Sequence, residues 1–485
     1  MLNALKSEAN ITHTENGALA YRSTQSACLD LFAVCGALRQ ARRHEILLKF
    51  MRAYAECPDT AMRILFYTRD IRGGLGERRF FTTVVHYLAD VRPASVLKNL
   101  HLFAEYGRYD DLLALLGTKC EAALGKFIRA QLDADLAALD EGKSVSLLAK
   151  WLPSVNTSCA DTLEQAKRIC RLLGMKEQAY RKTLSALRAR IDIVEDHLRR
   201  KNYDFDYAKL PAKALFKYRG ALWRNDTERY EAYIEDVRSG NVKMNTSTLY
   251  PYEIIRAVFE ADTLQEVHSL DTAWNALPNY TDSRNALAVI DGSGSMYQSY
   301  NQAIPPIMVA LSLGMYFAER NHGHFANHFI TFSQRPQLVE IKGDDIGEKT
   351  AYCMSYNEIA NTDLYEVFML ILLTAIKNQL PQSELPELLY IISDMEFDMG
   401  VVPDQTVFKD AQRKYKDYGY KLPQIVYWNV SARNEQFPVC MDERGVALVS
   451  GASPSLFTQM MSLDISPLSF MESILNSERY CHICA

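Results

Sequence analysis

Between about residues 25 and 280, apolar side chains recur at i, i+3 and i+4 in segments of 12 to 20 residues, separated by short polar or Gly/Pro breaks. SACLDLFAVCGALR (26–39), HEILLKFMRAYAE (44–56), RFFTTVVHYLADV (79–91), ASVLKNLHLFAEYG (94–107), YDDLLALLG (109–117) and CEAALGKFIRAQLDADLAAL (120–139) each carry this spacing. It is the period of an amphipathic helix, and few β-branched runs interrupt it. Helices of this length in series predict stacked helical hairpins of the HEAT type. No clean sequence period recurs, so an irregular helical domain remains open beside that prediction.

After Pro278 the pattern changes. ALAVIDGSGSM (286–296), HFITFS (328–333), ELLYIISDME (387–396) and QIVYWNV (424–430) are short apolar runs rich in Ile, Val and Tyr. Helical stretches at 305–320, 362–378 and roughly 405–419 separate them. Strands alternating with helices predict a mostly parallel, doubly wound sheet covered on both faces. The chain therefore reads as two domains, an all-α helical-repeat region over 1–280 and an α/β region over 281–485.

Composition changes this picture little. The 485 residues are 48% hydrophobic and 23% charged, ordinary for a globular protein with room for two or three domains. No window approaches the ~18 apolar residues needed to span a bilayer, and the N-terminus lacks the apolar core of a secretory signal. Ten cysteines without a small-domain rhythm predict reduced, mostly buried thiols. The expectation is a cytoplasmic protein without a membrane partner.

Charge is distributed unevenly. Residues 1–280 carry 40 Lys and Arg against 35 Asp and Glu, and the remainder 14 against 24. This suggests an anionic partner for the first part and a cation site in the second, although two ordinary solvated surfaces would show the same excess.

The chemistry is predicted at the carboxyl ends of the strands, where doubly wound sheets gather ligands. The first strand runs into Asp291-Gly292-Ser293-Gly294-Ser295, which displays a carboxylate and two hydroxyls at alternate positions of a Gly-rich turn. A later strand ends in Ser393-Asp394, and Thr362 stands where a long apolar helix begins. Oxygen ligands from Asp, Ser and Thr suit a hard cation such as Mg2+ or another divalent ion. In this assignment Ser293, Ser295 and Thr362 bind directly, while Asp291 and Asp394 supply charge through bound water. With only two carboxylates, the cation keeps attraction for a further anion, either a partner's carboxylate or a phosphate. The bland alternative is that Ser and Asp merely cap helices at these turns.

Asp-x-Ser-x-Ser, a Thr in a second loop and an Asp in a third resemble the metal-ion-dependent adhesion site (MIDAS) of von Willebrand factor A domains, although Asn361 stands before the Thr where glycine is common. An aspartyl phosphotransferase of the haloacid dehalogenase type would want a second acid at position 293, which is Ser. Arg72-Gly73-Gly74-Leu75-Gly76-Glu77-Arg78 lacks both the Gly-Lys-Ser/Thr ending and the preceding strand of a phosphate loop, so it reads as an interhelical turn and no nucleotide cofactor is expected. His322, His324 and His328 alternate along an extended segment, and Cys481-His482-Ile483-Cys484 is half of a zinc motif without a second half. These read as a turn and a terminal tail.

TENGALAYRST (14–24), DIRGGLGERRFF (70–81), LLAKWLPSVNTS (147–158), YRKTLSALRARIDIVEDHL (180–198) and LYPYEIIR (249–256) resemble the Ro autoantigen, or TROVE, family, whose helical repeats form a ring that binds noncoding RNA and whose A domain closes it. The resemblance covers nearly the whole chain and is nearest to a poorly characterised branch. It implies a ribonucleoprotein. The basic, Tyr-interleaved stretch from Lys167 to Lys243 is the candidate RNA surface, with Arg168, Arg171, Arg181, Lys182, Arg188, Arg190, Arg199, Arg200 and Lys201 for phosphates and Tyr180, Tyr203 or Tyr218 for base stacking. Interspersed acids make a solvated helix face the competing interpretation. The expectation is a nonenzymatic, Mg2+-dependent RNA-binding protein. The alternative is an adaptor whose metal captures an acidic residue of a protein partner, and a metal-dependent nuclease is a third possibility.

Overall fold

The computed structural model describes residues 1, 5, 8–298, 304–332, 335–356, 363–400, 405–459 and 466–485. A helical region leads into an α/β region built on one six-stranded sheet. The strands are β3 (Ala286–Asp291), β4 (His328–Phe332), β5 (Leu338–Glu340), β6 (Leu388–Ser393), β7 (Gln424–Asn429) and β8 (Val446–Ser450), after a small N-terminal hairpin of β1 (Ile11–His13) and β2 (Leu19–Tyr21).

The sheet order is β5-β4-β3-β6-β7-β8, with β5 antiparallel to β4 and every other pair parallel. All six residues of β3 and of β6 are buried, as the uniform Ile/Val/Leu composition of strands covered on both faces requires. The chain runs outward from β3 in one direction and returns to β6 on its other side. The topological switch point therefore lies between the carboxyl ends of β3 and β6. The strands β5 and β8 extend the sequence expectation. The run VALVS lies between Gly445 and Gly451, which punctuate it.

The helix Pro306–Arg320 is apolar on nearly every face and buried over twelve of its fifteen residues. It lies on the sheet against β3 and also packs on the helix Pro251–Phe259, so it joins the two regions. Gly314 permits the approach, because a Cβ there would overlap the Ile290 side chain.

The helical run returns on itself. The first hairpins, Arg43–Glu56 with Pro58–Arg69 and Arg78–Val91, meet the last helices where Tyr250 donates its hydroxyl to the Leu75 carbonyl at 3.1 Å. Beside it the Arg39 guanidinium lies over the Tyr252 ring at 5.1 Å and pairs with the buried Glu77 carboxylate.

Both chain ends cross between the regions. The β1–β2 hairpin docks on the α/β region, where Tyr21 and Phe437 exchange two backbone hydrogen bonds at 2.8 and 2.9 Å. The terminal residues run back over the helices. Arg479 pairs with the fully buried Asp70 carboxylate, which also accepts the Tyr480 hydroxyl at 2.8 Å. Asn99 donates to the Cys484 carbonyl at 2.6 Å. The Cys481 to Cys484 segment is thus a built part of the helical surface rather than a loose tail. None of the ten cysteines is bridged. Among the described residues, no helix is long and apolar enough to cross a membrane.

Candidate metal centre and the cleft beside it

Asp291 ends β3 and is fully buried; Asp394 follows β6 and is 3% exposed. The Ile290–Ile392 register sets the two strand ends side by side. Ser393 donates its hydroxyl to Asp291 Oδ2, and the Ser293 backbone N–H donates to Asp291 Oδ1 at 2.9 Å. The Ser293 and Ser295 hydroxyl oxygens stand 3.1 Å apart. Ser293 precedes the short 3₁₀ turn Gly294–Tyr297 but makes no capping hydrogen bond to it, so its hydroxyl is not occupied as the helix-cap alternative would have it.

Burial and, after it, the negative charge of Asp394 raise the Asp291 carboxyl to about 7, against hydrogen bonds from Ser393 and Ser293. Two carboxylates withdrawn from water and held in mutual repulsion are costly unless a cation or proton joins them, and the Arg433 guanidinium meets that demand at Asp394 but not at Asp291. The donor set fits a hard divalent ion, with Asp291, Ser293, Ser295 and Asp394 brought together at the switch point. Among the described residues no three His, Cys, Asp or Glu side chains gather as a metal set, so a cation here would rely on hydroxyl and water oxygens. Thr362, with Asn361, lies outside the described residues. Asp363 beside it caps the helix Leu364–Lys377 through the Glu366 N–H at 3.2 Å.

Sequence reasoning missed two charged neighbours. Arg433, in the loop after β7, donates to Asp394 Oδ2 at 3.0 Å and lies 3.2 Å from Glu15 Oε2 on the N-terminal hairpin. Glu396, 2% exposed, accepts from the Glu15 N–H at 2.8 Å, from Asn434 at 2.7 Å and from Gln436 at 2.6 Å, which anchors that hairpin to the loop after Asp394. Glu396 carried a weak signal two positions beyond Asp394, whereas nothing local marks Arg433.

The carboxyl edge of the sheet faces a cleft of about 760 Å³. Gln298, Arg433 and Gly451 line it from the α/β side, and Arg39, Arg42 and Arg256 from the helical side. Gly36 brings the walls together, because a Cβ there would strike the Ser450 carbonyl and the Gly451 Cα, and its N–H donates to Ser450 Oγ at 3.0 Å.

The nine basic candidates divide by their partners. Arg188 is built into the fold, donating to the Ala149 and Leu152 carbonyls at 2.8 and 2.7 Å and to Ser154 Oγ at 2.7 Å. Arg168 pairs with Glu121, Arg190 holds the Gly142 and Lys143 carbonyls, and Arg199 and Arg200 share Asp196. Arg171 donates to the Lys167 carbonyl at 3.5 Å and its charge acts on Glu121, and Lys201 is exposed. Arg181 and Lys182 are exposed and border a polar hollow of about 430 Å³. Tyr180 cannot stack on a base, since it is fully buried and donates to the Pro153 carbonyl at 3.0 Å. Tyr218 donates to Glu195 at 3.2 Å, and Tyr203 is half-buried. His322, His324 and His328 assemble no site, with His328 Nδ1 at 2.7 Å from the Ala326 carbonyl.

Stretches far apart in the sequence meet here: 147–158 with 180–198 through Arg188 and Tyr180, and 70–81 with 249–256 through Leu75 and Tyr250.

The chain is 28% identical over 510 residues to an uncharacterized protein of Acanthamoeba polyphaga mimivirus, covering 96% of this chain and 87% of the relative. Among solved structures it is similar to the Ro (RSR) protein of Deinococcus radiodurans, with 15% identity, a TM-score of 0.38, and coverage of 93% of this chain and all of the other. Residues 285–472 match a domain of unknown function, DUF7788. A second domain of unknown function, DUF2828, matches residues 14–129 and 122–285, more than half of the chain, and the protein belongs to that DUF2828 family.

Proposed function

We propose that this protein is a nonenzymatic, cation-dependent binding protein of the MIDAS kind, in which a divalent ion, Mg2+ by its oxygen donors, helps to hold the anionic group of a ligand. The observation that carries this reading is the repelling, desolvated pair Asp291 and Asp394 with the Ser293 and Ser295 hydroxyls at the switch point, beside an arginine-lined cleft. Thr362 completes the donor set in this reading. The metal supplies attraction for an anion, and the protein's own groups orient it.

RNA is the proposed cargo, in keeping with the sequence resemblance to the Ro family. Arg42 on the cleft wall, beside Arg39 and Arg256 that already pair with Glu77 and Glu260, and Arg181 with Lys182 at the second hollow support an anionic polymer over a single small ligand. The test is to purify the protein gently at low salt from its own cells and sequence the RNA that accompanies it, beside Asp291→Ala and a variant neutralised at Arg181 and Lys182. Enriched RNA, diminished in both variants and released by EDTA, is the expected result. No enrichment over a control protein would overturn the RNA reading. Capture of a protein partner that depends on Asp291 would then identify the adaptor instead.

A further inference from the structure

Arg433 stands between the candidate cation site and the cleft, and its hold on Asp394 is loose. One nitrogen, Nη2, serves both Asp394 Oδ2 and Glu15 Oε2, at 3.0 and 3.2 Å, while Nε is shut off from solvent without a hydrogen-bond partner among the described residues. Arg479 on Asp70 is the contrasting case, with Nε and Nη2 each engaging a carboxylate oxygen. Bidentate pairing fixes a guanidinium, whereas a single shared donor leaves it free to pivot. Asp394 does not depend on Arg433 for orientation alone, because Oδ1 also accepts the Glu396 N–H at 3.3 Å.

Resting on the cation reading above, we infer that Arg433 is a built-in competitor of the metal for Asp394, so that a ligand able to draw the guanidinium toward the cleft raises the site's affinity for the cation. The physical reason is charge. A guanidinium in contact with one of only two carboxylates repels an incoming divalent ion and already neutralises part of the field that would attract it. Three carboxylates face Arg433, those of Asp394, Glu15 and Glu396, and against the cost of burial they keep the guanidinium charged wherever it lies among them. An anion in the cleft would offer the guanidinium another partner and leave both Asp394 and Asp291 to the metal. By reciprocity, the metal would then raise affinity for that anion by the same factor. The ligand class is anionic, and the coupling makes the site respond to cation and anion together.

The test is Mn2+ binding to the full chain, followed by the electron paramagnetic resonance signal of the free ion. The variants are Arg433→Gln, Arg433→Lys and Asp291→Asn. Arg433→Gln is expected to bind Mn2+ roughly fivefold or more tightly than the parent. Arg433→Lys, which keeps the charge, is expected to stay near the parent; loss of packing alone would not separate the two. An Arg433→Gln affinity equal to or weaker than the parent's, with Asp291→Asn still abolishing binding, overturns the competitor role and leaves the cation site standing. Identical binding by the parent and Asp291→Asn overturns both.

Discussion

Tyr250 donates its hydroxyl to the Leu75 carbonyl at 3.1 Å, and Gly76 sits so close beneath that hydroxyl that a Cβ would overlap it. This contact brings the first helical hairpins against the last. Gly76 also has φ of +70°, in the left-handed region that favours glycine. Gly76→Ala therefore combines backbone strain of about 1 kcal/mol with a steric overlap that displaces Tyr250. Chemical denaturation is expected to show a loss of more than about 2 kcal/mol for Gly76→Ala and about 1 kcal/mol for Tyr250→Phe. Equal, small losses would mean that the closure is slack.

The candidate metal centre gives a pH dependence with a definite sign. Asp291 is raised to about 7, above the ordinary carboxylate value of about 4 that it takes in the unfolded chain. The folded protein thus keeps a proton that the unfolded chain has lost. The stability contributed by the neutral acid is complete below about pH 4 and is lost as pH rises through 7. In the proposed reading a divalent cation binds the ionised pair, so the melting-temperature gain from Mg2+ should grow from pH 5 to pH 8. Asp291→Asn should remove both the pH-dependent loss and most of the Mg2+ gain. A Mg2+ gain that is flat with pH would sink the assignment.

Arg188 and the pair Arg181 and Lys182 are neighbours in sequence but have different jobs. Truncating Arg188 frees two backbone carbonyls and the Ser154 hydroxyl, so Arg188→Ala should destabilise the chain by about 2 kcal/mol. Neutralising Arg181 and Lys182 should leave the denaturation midpoint within experimental scatter. If they meet phosphates, it should flatten the slope of log affinity against log salt by about 1.5.

The C-terminal residues provide a fourth test. Asp70 is fully buried and is answered by Arg479 and the Tyr480 hydroxyl. Removing residues 479–485 would leave that carboxylate without its guanidinium, a change that costs about 3 kcal/mol or more in buried pairs. A truncated chain with an unchanged denaturation midpoint would show that Asp70 is satisfied some other way.

The sequence by itself determined the two kinds of structure and the core of the candidate site. Helical spacing marked the first region, because burial on one stripe writes a period that a local window can read, and short apolar runs rich in Ile, Val and Tyr marked β3, β6 and β7, which are covered on both faces. Asp291, Ser293 and Ser295 were legible because Asp291 ends the strand and the two serines follow it directly, so the strand itself places them at the carboxyl edge. The strands of the hairpin at 11–21 and β5, at three residues each, are too short to mark a strand, and β8 was missed although Gly445 and Gly451 bound its apolar run. Only the tertiary structure decided that Arg433 faces Asp394, that Glu15 and Glu396 bind the N-terminal hairpin to the site, that Tyr250 closes on Leu75 and that the chain end seals Asp70. It also moved Tyr180 from a candidate stacking surface into the core. Each of these depends on which distant segment comes to rest against a side chain, and local periodicity fixes the face of an element without specifying its partner.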